Sequence, residues 1–319
     1  NSPSCEVTMK GDLTVRPAFK ECKGWCNEAP VSSTQTLYSI SGRSADNIVA
    51  VGDGGAVVAW NGTAWKAQSA GFTGTLRGVG TARDGGPYFA VGDAGTVLTP
   101  QMEPPWLRVS SPSTVQATQI NAVAGIKSDE MFAVGKNATY LKGGSKIFDS
   151  VTLQQPCIKA IAGRDLNAIW TLPNGLDHFI VGSRGFFVKS YLSYLIRTCK
   201  QIELTLKEDL HGLWVGDDNI YLVGTNGVIV KCKAAGEECT SQVQSGTSQT
   251  LHGIWGTRKD GALYLYAVGD QGTLLTSSNG GSSWSSESTG TDKNLYAVWG
   301  AGPDAVYLVG ESGVILRHR

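Results

Sequence analysis

The stretch Val268-Gly269-Asp270-Gln271-Gly272-Thr273-Leu274-Leu275 decides the fold, because its pattern recurs along nearly the whole chain. It joins an apolar pair ending in glycine, a tight turn and a run of β-branched or aliphatic residues. Intervals of 40, 43, 47, 42, 45 and 41 residues separate the glycines of the successive Val-Gly pairs, which are Gly52, Gly92, Gly135, Gly182, Gly224, Gly269 and Gly310. This period indicates seven copies of one structural unit.

A second element lies upstream of each Val-Gly pair and has the form Leu or Ile, any residue, a small residue, then an aliphatic residue. Its seven copies are Leu37–Ile40, Leu76–Val79, Ile120–Val123, Ile158–Ile161, Leu210–Leu213, Leu251–Ile254 and Leu295–Val298. With the turn signals between them, the two elements predict four short strands per unit, while helical periodicity is almost absent. The fold class is therefore all-β, a seven-bladed β-propeller with four-stranded blades.

The two ends of the repeat predict a closed ring. The seventh unit stops at Arg319 after its third strand, and Trp25–Pro30 resembles a fourth strand without a unit. Similar segments start at Trp65, Trp106 and Trp284. An N-terminal strand that completes the last blade would remove the two exposed edges of an open sheet, which disfavours a solenoid. We expect an N-terminal extension over residues 1–21 and one propeller domain over residues 22–319.

Composition supports a folded domain and excludes two classes of function. The chain has 319 residues, of which 41 are Gly, 41% are hydrophobic and 17% are charged. Its 27 basic and 27 acidic side chains give no net charge to attract nucleic acid. No apolar run approaches the roughly 20 residues of a membrane helix. We expect neither a nucleic-acid partner nor a transmembrane segment.

The segment Ser277–Trp284, which follows Val268–Leu275, looks like an Asp-box (BNR) hairpin with Asn279 in the place of the Asp. Trp60–Trp65 is a shortened version. With its Val-Gly-x-x-Gly turns, the chain resembles the photosystem II assembly factor-like and BNR-type propellers found in bacterial secreted proteins. The resemblance implies the fold and a protein-binding or surface role, and it carries no active site. The arginine triad, acid and tyrosine of sialidases cannot be located by any motif.

Seven cysteines favour disulfides over a metal site. Cys232 and Cys239 flank a hairpin turn and are expected to pair across it, while Cys157 and Cys199 open and close unit four and could staple it. Two of the remaining three are expected to pair, leaving one over: Cys5, Cys22 and Cys26. Zinc would need a second ligand pair to match Cys22-x-x-x-Cys26, and the sequence has none.

Disulfides persist in oxidising compartments, so the chain is expected to be secreted, periplasmic or at the cell surface. Its start at Asn1 without Met is consistent with processing. The segments Asn61-Gly62-Thr63 and Asn137-Ala138-Thr139 are glycosylation sequons, meaningful only in a eukaryotic host.

Aligning the inner strands predicts a ring of side chains at the mouth of the central channel. The second position of each strand is polar or amphipathic, and the set is Tyr38, Arg77, Asn121, Lys159, His211, His252 and Tyr296. Each offers a hydrogen-bond donor, so the ring suits an anionic or sugar-like ligand. Alternatively, these side chains only solvate a water-filled channel mouth.

A second ring follows each Val-Gly pair and consists of Asp53, Asp93, Lys136, Ser183, Thr225, Asp270 and Glu311. Units six, seven, one and two are neighbours in a closed ring, so their four acids form a predicted acidic half-ring. That half-ring could hold calcium or a basic partner surface, although no calcium motif is present. Alternatively, each acid accepts a local hydrogen bond in its turn.

Unit four and the last three units carry further irregularities. Inner strands five to seven carry Trp214, Trp255 and Trp299 where units one to four have Ser41, Gly80, Ala124 and Ala162. These tryptophans could form an aromatic sugar site or could pack between blades. The apolar stretch Tyr191–Ile196 in the enlarged hairpin of unit four could be a partner patch or a longer paired strand.

No catalytic motif is present: neither a nucleophile elbow, nor a phosphate-binding loop, nor a His-Glu-x-x-His helix. His178 and His318 fall outside the inner ring. We therefore expect no enzyme activity, no metal and no cofactor. The favoured function is a non-catalytic extracellular scaffold that binds a partner protein through the polar channel face. The alternative is a carbohydrate-binding lectin or adhesin.

Overall fold

A computed structural model describes residues 22–28, 34–82, 84–100, 106–151, 153, 155–175, 177–193, 196–216, 218–234, 238–240 and 245–319. Seven antiparallel sheets surround a central channel, and each inner strand contacts the inner strand of the next sheet until the seventh contacts the first. The predicted seven-bladed all-β propeller is confirmed. The N-terminal extension over residues 1–21 lies outside the described residues.

Each blade runs outward from an inner strand at the channel. In blade order, the inner strands are Leu37–Ser44, Leu76–Thr81, Ile120–Lys127, Leu166–Thr171, Leu210–Val215, Leu251–Lys259 and Leu295–Gly302. The second strands are Asn47–Gly52, Tyr88–Gly92, Glu130–Gly135, His178–Gly182, Asn219–Gly224, Ala262–Gly269 and Ala305–Gly310. The third strands are Val57–Trp60, Val97–Pro100, Tyr140–Gly143, Phe186–Ser193, Ile229–Lys233, Leu274–Ser277 and Ile315–His318.

Outside blades four and five, the outer strand is never longer than the other strands of its blade. In blades one to four, six and seven the outer strands are Trp65–Gln68, Trp106–Arg108, Phe148–Ser150, Ile196–Gln201, Ser285–Ser286 and Trp25–Asn27. In blade five the described residues show a single antiparallel pair at this position, Cys232 with Cys239. Among the described residues, the helical elements are one α-helix and five short 3-10 turns: Gln155–Ile161, and Asp53–Gly55, Ser113–Val115, Thr225–Gly227, Asp270–Gly272 and Glu311–Gly313.

The first described strand closes the ring, as predicted. Trp25–Asn27 pairs antiparallel with the third strand of blade seven, in the register Trp25 to His318 and Asn27 to Leu316. The backbone N–H of Gly24 also donates to the carbonyl oxygen of Arg319 at 3.1 Å. The last blade is thus built from both ends of the propeller, and no sheet edge is left open at the junction.

The glycine of each Val-Gly pair is required by a close approach of two backbones. Gly52 has an extended backbone with φ of −170°, which any residue can adopt. A Cβ atom there would overlap the carbonyl oxygen of Thr36, just before the inner strand of the same blade. The equivalent glycines face carbonyl oxygens in the same way: Gly92 to Thr75, Gly135 to Gln119, Gly182 to Asp165, Gly224 to Asp209, Gly269 to Thr250 and Gly310 to Asn294. The repeat therefore keeps glycine because a side chain has no room.

Blade four corrects one prediction. The segment Ile158–Ile161 is not an inner strand, because it belongs to the helix Gln155–Ile161. The inner strand of this blade is Leu166–Thr171. Lys159 is exposed on the helix and does not reach the channel mouth. The disulfide between Cys157 and Cys199 fastens the helix to the outer strand of the same blade.

The core lies between neighbouring blades. One cluster joins Phe89 of blade two to Phe148 of blade three, whose ring centroids are 5.8 Å apart. At the far end of the inner strands, three tryptophans pack on glycines of the next blade: Trp214 on Gly256, Trp255 on Gly300 and Trp299 on Gly42. The fourth-blade equivalent is Trp170 rather than Ala162, because the inner strand lies further along the chain. These contacts agree with the second of the two alternatives for the tryptophans, that they pack between blades.

Three disulfides are present in the described residues. They are Cys22–Cys26, Cys157–Cys199 and Cys232–Cys239. Both predicted pairs in blades four and five are confirmed. The sequence did not decide which two of Cys5, Cys22 and Cys26 pair, and the structure shows Cys22 bonded to Cys26. Cys5 lies outside the described residues. Within the part of the chain that the structure describes, no helix is long and apolar enough to cross a membrane.

Candidate functional site

The start of every inner strand contributes one half-buried polar side chain to the channel mouth. The channel is a cavity of about 410 Å³. The side chains that line its mouth, in blade order, are Tyr38, Arg77, Asn121, Asn167, His211, His252 and Tyr296. Six of the seven predicted residues are brought together, and Asn167 takes the place predicted for Lys159. The spacing to the next Val-Gly pair could have found Asn167, since Ile158 lies 24 residues before Gly182 and Leu166 only 16.

Five of these side chains form a continuous arc across blades five, six, seven, one and two. The rings of His211 and His252 have centroids 5.6 Å apart, and His252 lies 5.0 Å from Tyr296. Tyr296 lies 5.0 Å from Tyr38, and the guanidinium carbon of Arg77 is 5.8 Å from the Tyr38 ring centroid. Each contact joins adjacent blades, so the arc presents a nearly unbroken wall of flat groups to the channel.

Three of the four predicted acids lie directly behind this arc and bind it. Arg77 Nε donates to Asp93 Oδ1 at 2.8 Å, and His252 Nε2 lies 2.7 Å from Asp270 Oδ1. The Tyr38 hydroxyl donates to Asp53 Oδ2 at 3.2 Å. In these three blades, the two predicted rings are thus one layer of paired side chains, because each acid is held by the ring residue of its own blade.

The other members of the second ring have different partners. Glu311 Oε2 accepts from the backbone N–H of Asn294 at 3.4 Å. Ser183 and Thr225 each accept a backbone N–H with the side-chain oxygen, at 3.2 and 3.1 Å. In the described residues, no three His, Cys, Asp or Glu side chains are grouped so as to hold a metal ion. Calcium binding by the acidic half-ring stays a prediction.

Blades three and four use asparagines to lock the junctions between blades. Asn121 Nδ2 donates to the carbonyl oxygen of Leu166 at 2.9 Å, and Asn167 Nδ2 donates to that of Leu210 at 2.8 Å. Each acceptor opens the inner strand of the following blade. These two amides therefore stabilise the contact between neighbouring blades, although both also line the channel.

Burial sets the protonation of two arc residues. It raises the pKa of Tyr38, and the neighbouring Asp53 carboxylate adds to that effect. Burial likewise lowers the pKa of His211, with the adjacent His252 as the second cause. His211 is therefore a neutral imidazole at pH 7, with one nitrogen that donates and one that accepts.

Two arc residues keep hydrogen-bonding capacity for a ligand. The Tyr296 hydroxyl and both ring nitrogens of His211 make no hydrogen bond to any group of the described protein, and both side chains line the channel. They lie on blades seven and five, on either side of the His252–Asp270 pair. The mouth is thus open to a ligand on the side formed by blades five to seven.

The hairpin that looks like an Asp-box has a well-bonded turn. Asn279 Oδ1 accepts from the backbone N–H of Ser283 at 3.0 Å. The carbonyl oxygen of Gly280 accepts from the Tyr221 hydroxyl and from Lys231 Nζ, both at 2.8 Å. These contacts dock the hairpin of blade six on blade five.

No protein-family model matches the chain, and no curated protein matches it. Solved structures match over almost the full length. YCF48 bound to a D1 peptide is 16% identical with a TM-score of 0.73, covering 94% of this chain and 98% of that one. YCF48 from Cyanidioschyzon merolae is 15% identical with a TM-score of 0.73, covering 93% and 98%.

A WD40 β-propeller domain, that of Doa1, is 10% identical with a TM-score of 0.73, covering 93% of this chain and 97% of that one. At such identities the likeness shows the fold alone. The resemblance to photosystem II assembly factor-like propellers, drawn from the repeat pattern, is confirmed at the level of that fold.

Proposed function

We propose that the chain is a non-catalytic extracellular scaffold that recognises a partner protein through the polar mouth of its channel. The observation that carries this proposal is the arc from His211 to Arg77, in which flat groups line an open channel and two members keep free hydrogen-bonding atoms. Aromatic and guanidinium groups are the residue types that dominate binding energy at protein interfaces.

The structural neighbours support a protein partner. One of them, YCF48, was solved with a D1 peptide bound, and its fold aligns with this chain over almost its full length. That observation concerns YCF48 itself, and it makes a peptide-binding face a reasonable use of the same architecture.

The pairing at the mouth favours binding over catalysis. A general acid or base needs a titrating group that can reach a substrate proton. Asp93 is bound by Arg77, and Asp53 by Tyr38, so these carboxylates are already engaged as acceptors. The Asp270 carboxylate is likewise bound to His252. His211 keeps both ring nitrogens free, but no carboxylate of the described residues is hydrogen-bonded to it, so the arc suits recognition by shape and hydrogen bonding.

An oxidising compartment fits the cysteines. Six of the seven cysteines form disulfides in the described residues. Disulfides of this number are rare where thiols are kept reduced. We place the protein in a secreted, periplasmic or cell-surface location on this ground.

A lectin or adhesin is the second candidate. The observation that favours it is the tilted pair of Tyr38 and Tyr296 at 5.0 Å, since aromatic faces and hydrogen-bond donors together are suited to sugars. The tryptophans of the inner strands contribute less to this alternative, because those with glycine contacts are packed between blades.

Site-specific photo-crosslinking tests the protein-partner proposal. A photoreactive residue at Thr75, beside Asp53 at the mouth, should trap a discrete partner in the native cell envelope or secretome. The same residue at exposed Lys66, on an outer strand, is the matched control and should not trap that species. The trapped species should disappear in the double variant His211→Ala, Tyr296→Ala, because both free hydrogen-bonding groups are removed.

A glycan array separates the two candidates. If the chain binds a sugar, loses that binding in Tyr296→Ala and traps no species from Thr75, the lectin function would replace the protein-scaffold function. An unchanged crosslinked species in the double variant would overturn the proposed use of the mouth.

A further inference from the structure

Four buried polar atoms lie together where blade seven meets blade one, and none of them has a hydrogen-bond partner among the described residues. They are Trp65 Nε1, Tyr307 Oη, Arg317 Nε and Glu28 Oε2. The described residues contain three more such atoms, and each of these lies in a different blade: Thr96 Oγ1, His178 Nε2 and Trp284 Nε1. Buried polar side chains are nearly always bonded to protein or to ordered water, so the cluster of four points to a partner from outside the chain.

The four side chains are neighbours in a buried region. The rings of Trp65 and Tyr307 have centroids 6.0 Å apart and cross at 78°. The guanidinium carbon of Arg317 is 5.3 Å from the Tyr307 ring centroid, and Arg317 Nη1 is 4.0 Å from Glu28 Oε1. Tyr307 is fully buried, Trp65 is 6% exposed and the Glu28 side chain is 9% exposed. The four atoms therefore lie in one polar region that is closed to bulk solvent.

The neighbouring junction, between blades six and seven, shows the bond that an equivalent tryptophan makes. There Trp25 packs on Tyr266 with centroids 6.3 Å apart and the same interplanar angle of 78°. Trp25 Nε1 donates directly to Glu287 Oε1 at 2.8 Å. Glu287 stands three residues after Trp284, the tryptophan that precedes the outer strand of blade six.

The same spacing holds at the junction between blades one and two. Trp106 Nε1 donates to Gln68 Oε1 at 3.0 Å, and Gln68 stands three residues after Trp65. At both junctions, the tryptophan thus bonds to the side chain three residues after the tryptophan of the preceding blade. For Trp65 the preceding blade is seven, so this pattern assigns Glu28, three residues after Trp25. The direct bond is nevertheless not made, since Trp65 Nε1 and Glu28 Oε2 both lack a partner in the described structure.

Arg319 holds the Glu28 carboxylate in a different direction. Glu28 Oε1 accepts from Nε of Arg319 at 3.1 Å and also from its Nη2. The backbone N–H of Glu28 donates to the carbonyl oxygen of Ile315 at 2.8 Å, which fixes the point from which the side chain starts. Burial raises the pKa of Tyr307, the Arg317 charge opposes that rise, and the Glu28 carboxylate adds to it, so both charges act on the tyrosine hydroxyl.

The four atoms match the hydrogen-bonding capacity of one water molecule. Trp65 Nε1 and Arg317 Nε can only donate, an ionised Glu28 can only accept, and the Tyr307 hydroxyl can do either. An anion would satisfy the donors, but it would leave Glu28 Oε2 unpaired and place a like charge beside it. A cation would face two N–H donors. Internal waters occupy polar sites of this kind and make about three hydrogen bonds each.

We propose that the junction between blades seven and one binds a resident water molecule. The water accepts from Trp65 Nε1 and Arg317 Nε and donates to Glu28 Oε2, with the Tyr307 hydroxyl as its fourth partner. It takes the place of the direct tryptophan bond that the two flanking junctions make. The site does not depend on the function proposed for the channel, because none of these four residues lines the channel mouth.

NMR cross-relaxation between water and the indole protons tests the proposal on the full chain with isotope-labelled tryptophan. The variants Trp65→Phe and Trp25→Phe assign the two resonances, because each removes one signal. In the natural chain the Trp65 indole proton should show a cross peak to a long-lived water. The Trp25 indole proton is the matched control and should show none, because it is bonded directly to Glu287. A Trp65 proton without a water cross peak would overturn the proposal.

Tyr307→Phe excludes a relayed signal. An exchanging tyrosine hydroxyl can itself pass magnetisation from water to a nearby proton. The bound water keeps three partners in this variant, so the Trp65 cross peak should persist, and its loss would overturn the proposal. Tyr266→Phe, at the equivalent place beside Trp25, is the matched control and should leave the Trp65 signal unchanged.

A crystal structure of the natural chain, grown with bromide in the solution, needs no variant and gives a second measurement. The expected result is one isolated density peak without anomalous signal, within hydrogen-bond distance of at least three of the four atoms. A direct bond from Trp65 Nε1 to Glu28 Oε2, an anomalous bromide peak at the site, or no density between the four atoms would overturn the proposal.

Discussion

The indole nitrogen of Trp25 donates a hydrogen bond to Oε1 of Glu287 at 2.8 Å, although 262 residues separate them. The first residue lies in the closing strand of blade seven and the second in the outer part of blade six. Trp106 donates in the same way to Gln68 Oε1 at 3.0 Å, between blades two and one. The junction that closes the ring is therefore built like an ordinary junction within the chain.

Removing the acceptor from the closing junction should destabilise the ring. Glu287→Ala leaves the half-buried Trp25 nitrogen without its partner, and we expect a loss of about 1 kcal/mol. Glu287→Gln keeps an acceptor oxygen and should recover most of that loss. Gln68→Ala, at the equivalent junction, should cost a similar amount. Urea unfolding measures all three, and equal stability of the Ala and Gln variants would contradict this prediction.

The glycine of the Val-Gly pair should tolerate no side chain. Gly52→Ala places a Cβ atom against the carbonyl oxygen of Thr36, so we expect a loss of about 3 kcal/mol or more. Gly302→Ala is the control, because no atom lies within 4 Å of the position that its Cβ would occupy. That change should stay within about 0.5 kcal/mol. A Gly52→Ala protein with unaltered melting temperature would refute the steric explanation.

The disulfides Cys157–Cys199 and Cys232–Cys239 should stabilise the protein by different amounts, because they close loops of different length. Cys157 and Cys199 are 42 residues apart, and Cys232 and Cys239 are 7 apart. Chain entropy predicts losses of about 4 and about 2 kcal/mol when each pair is replaced by Ser. Thermal unfolding of the two double variants makes the comparison, and the reverse order would contradict loop closure as the main source of the difference.

Acid should destabilise the protein through His178. Burial, with Arg197 and Lys142, lowers its pKa to about 2 from the ordinary 6.5, so the folded state binds this proton less readily than the unfolded chain. The contribution is fully present above pH 6.5 and falls by about 1.4 kcal/mol for each pH unit below it, down to the folded pKa.

Urea unfolding at pH 7.5 and 5.5 measures this loss. His178→Gln, which does not titrate, should show a flatter pH dependence than the natural chain. The control is His318→Gln, which removes a partly exposed histidine from the last strand. Equal pH slopes in the natural chain and His178→Gln would rule out His178 as the source.

The channel-mouth residues should divide into binding and structural members. His211→Ala and His252→Ala are expected to leave the fold intact and to weaken partner binding, because both side chains face an open channel. Asn167→Ala should instead lower stability by about 1 kcal/mol, since the carbonyl of Leu210 loses its donor. Melting temperature and crosslinking yield measure the two effects, and a large drop in melting temperature for His211→Ala would place that residue in the core.

The sequence was sufficient to predict the strands of the blades in which both repeat elements are present. The number of Val-Gly pairs equals the number of blades. The closing strand is identified because the segment that starts at Trp25 resembles those that start at Trp65 and Trp106. The prediction for unit four was wrong because two segments fit the inner-strand pattern, Ile158–Ile161 and Leu166–Ile169. The first is a helix fastened by Cys157, and only the distance to the Val-Gly pair distinguishes it from a strand.

The sequence predicted which residues line the channel mouth, but it did not predict the hydrogen bonds that they make. Alignment placed six of the seven channel-mouth residues, because a repeat fixes which position faces the axis. It could not show that Arg77 is held by Asp93, or that Asn121 reaches the next blade, since these partners lie 16 and 45 residues away.

The closing strand also sets an order of events during synthesis. Trp25–Asn27 leaves the ribosome before any complete blade, and its partner Ile315–His318 is the last strand of the propeller to be made. Blades one to six can form as they emerge, since domains fold from the N-terminal side during translation. The ring itself cannot close until Ile315–His318 has emerged, so a nascent propeller carries an unpaired strand while all of its blades are being made.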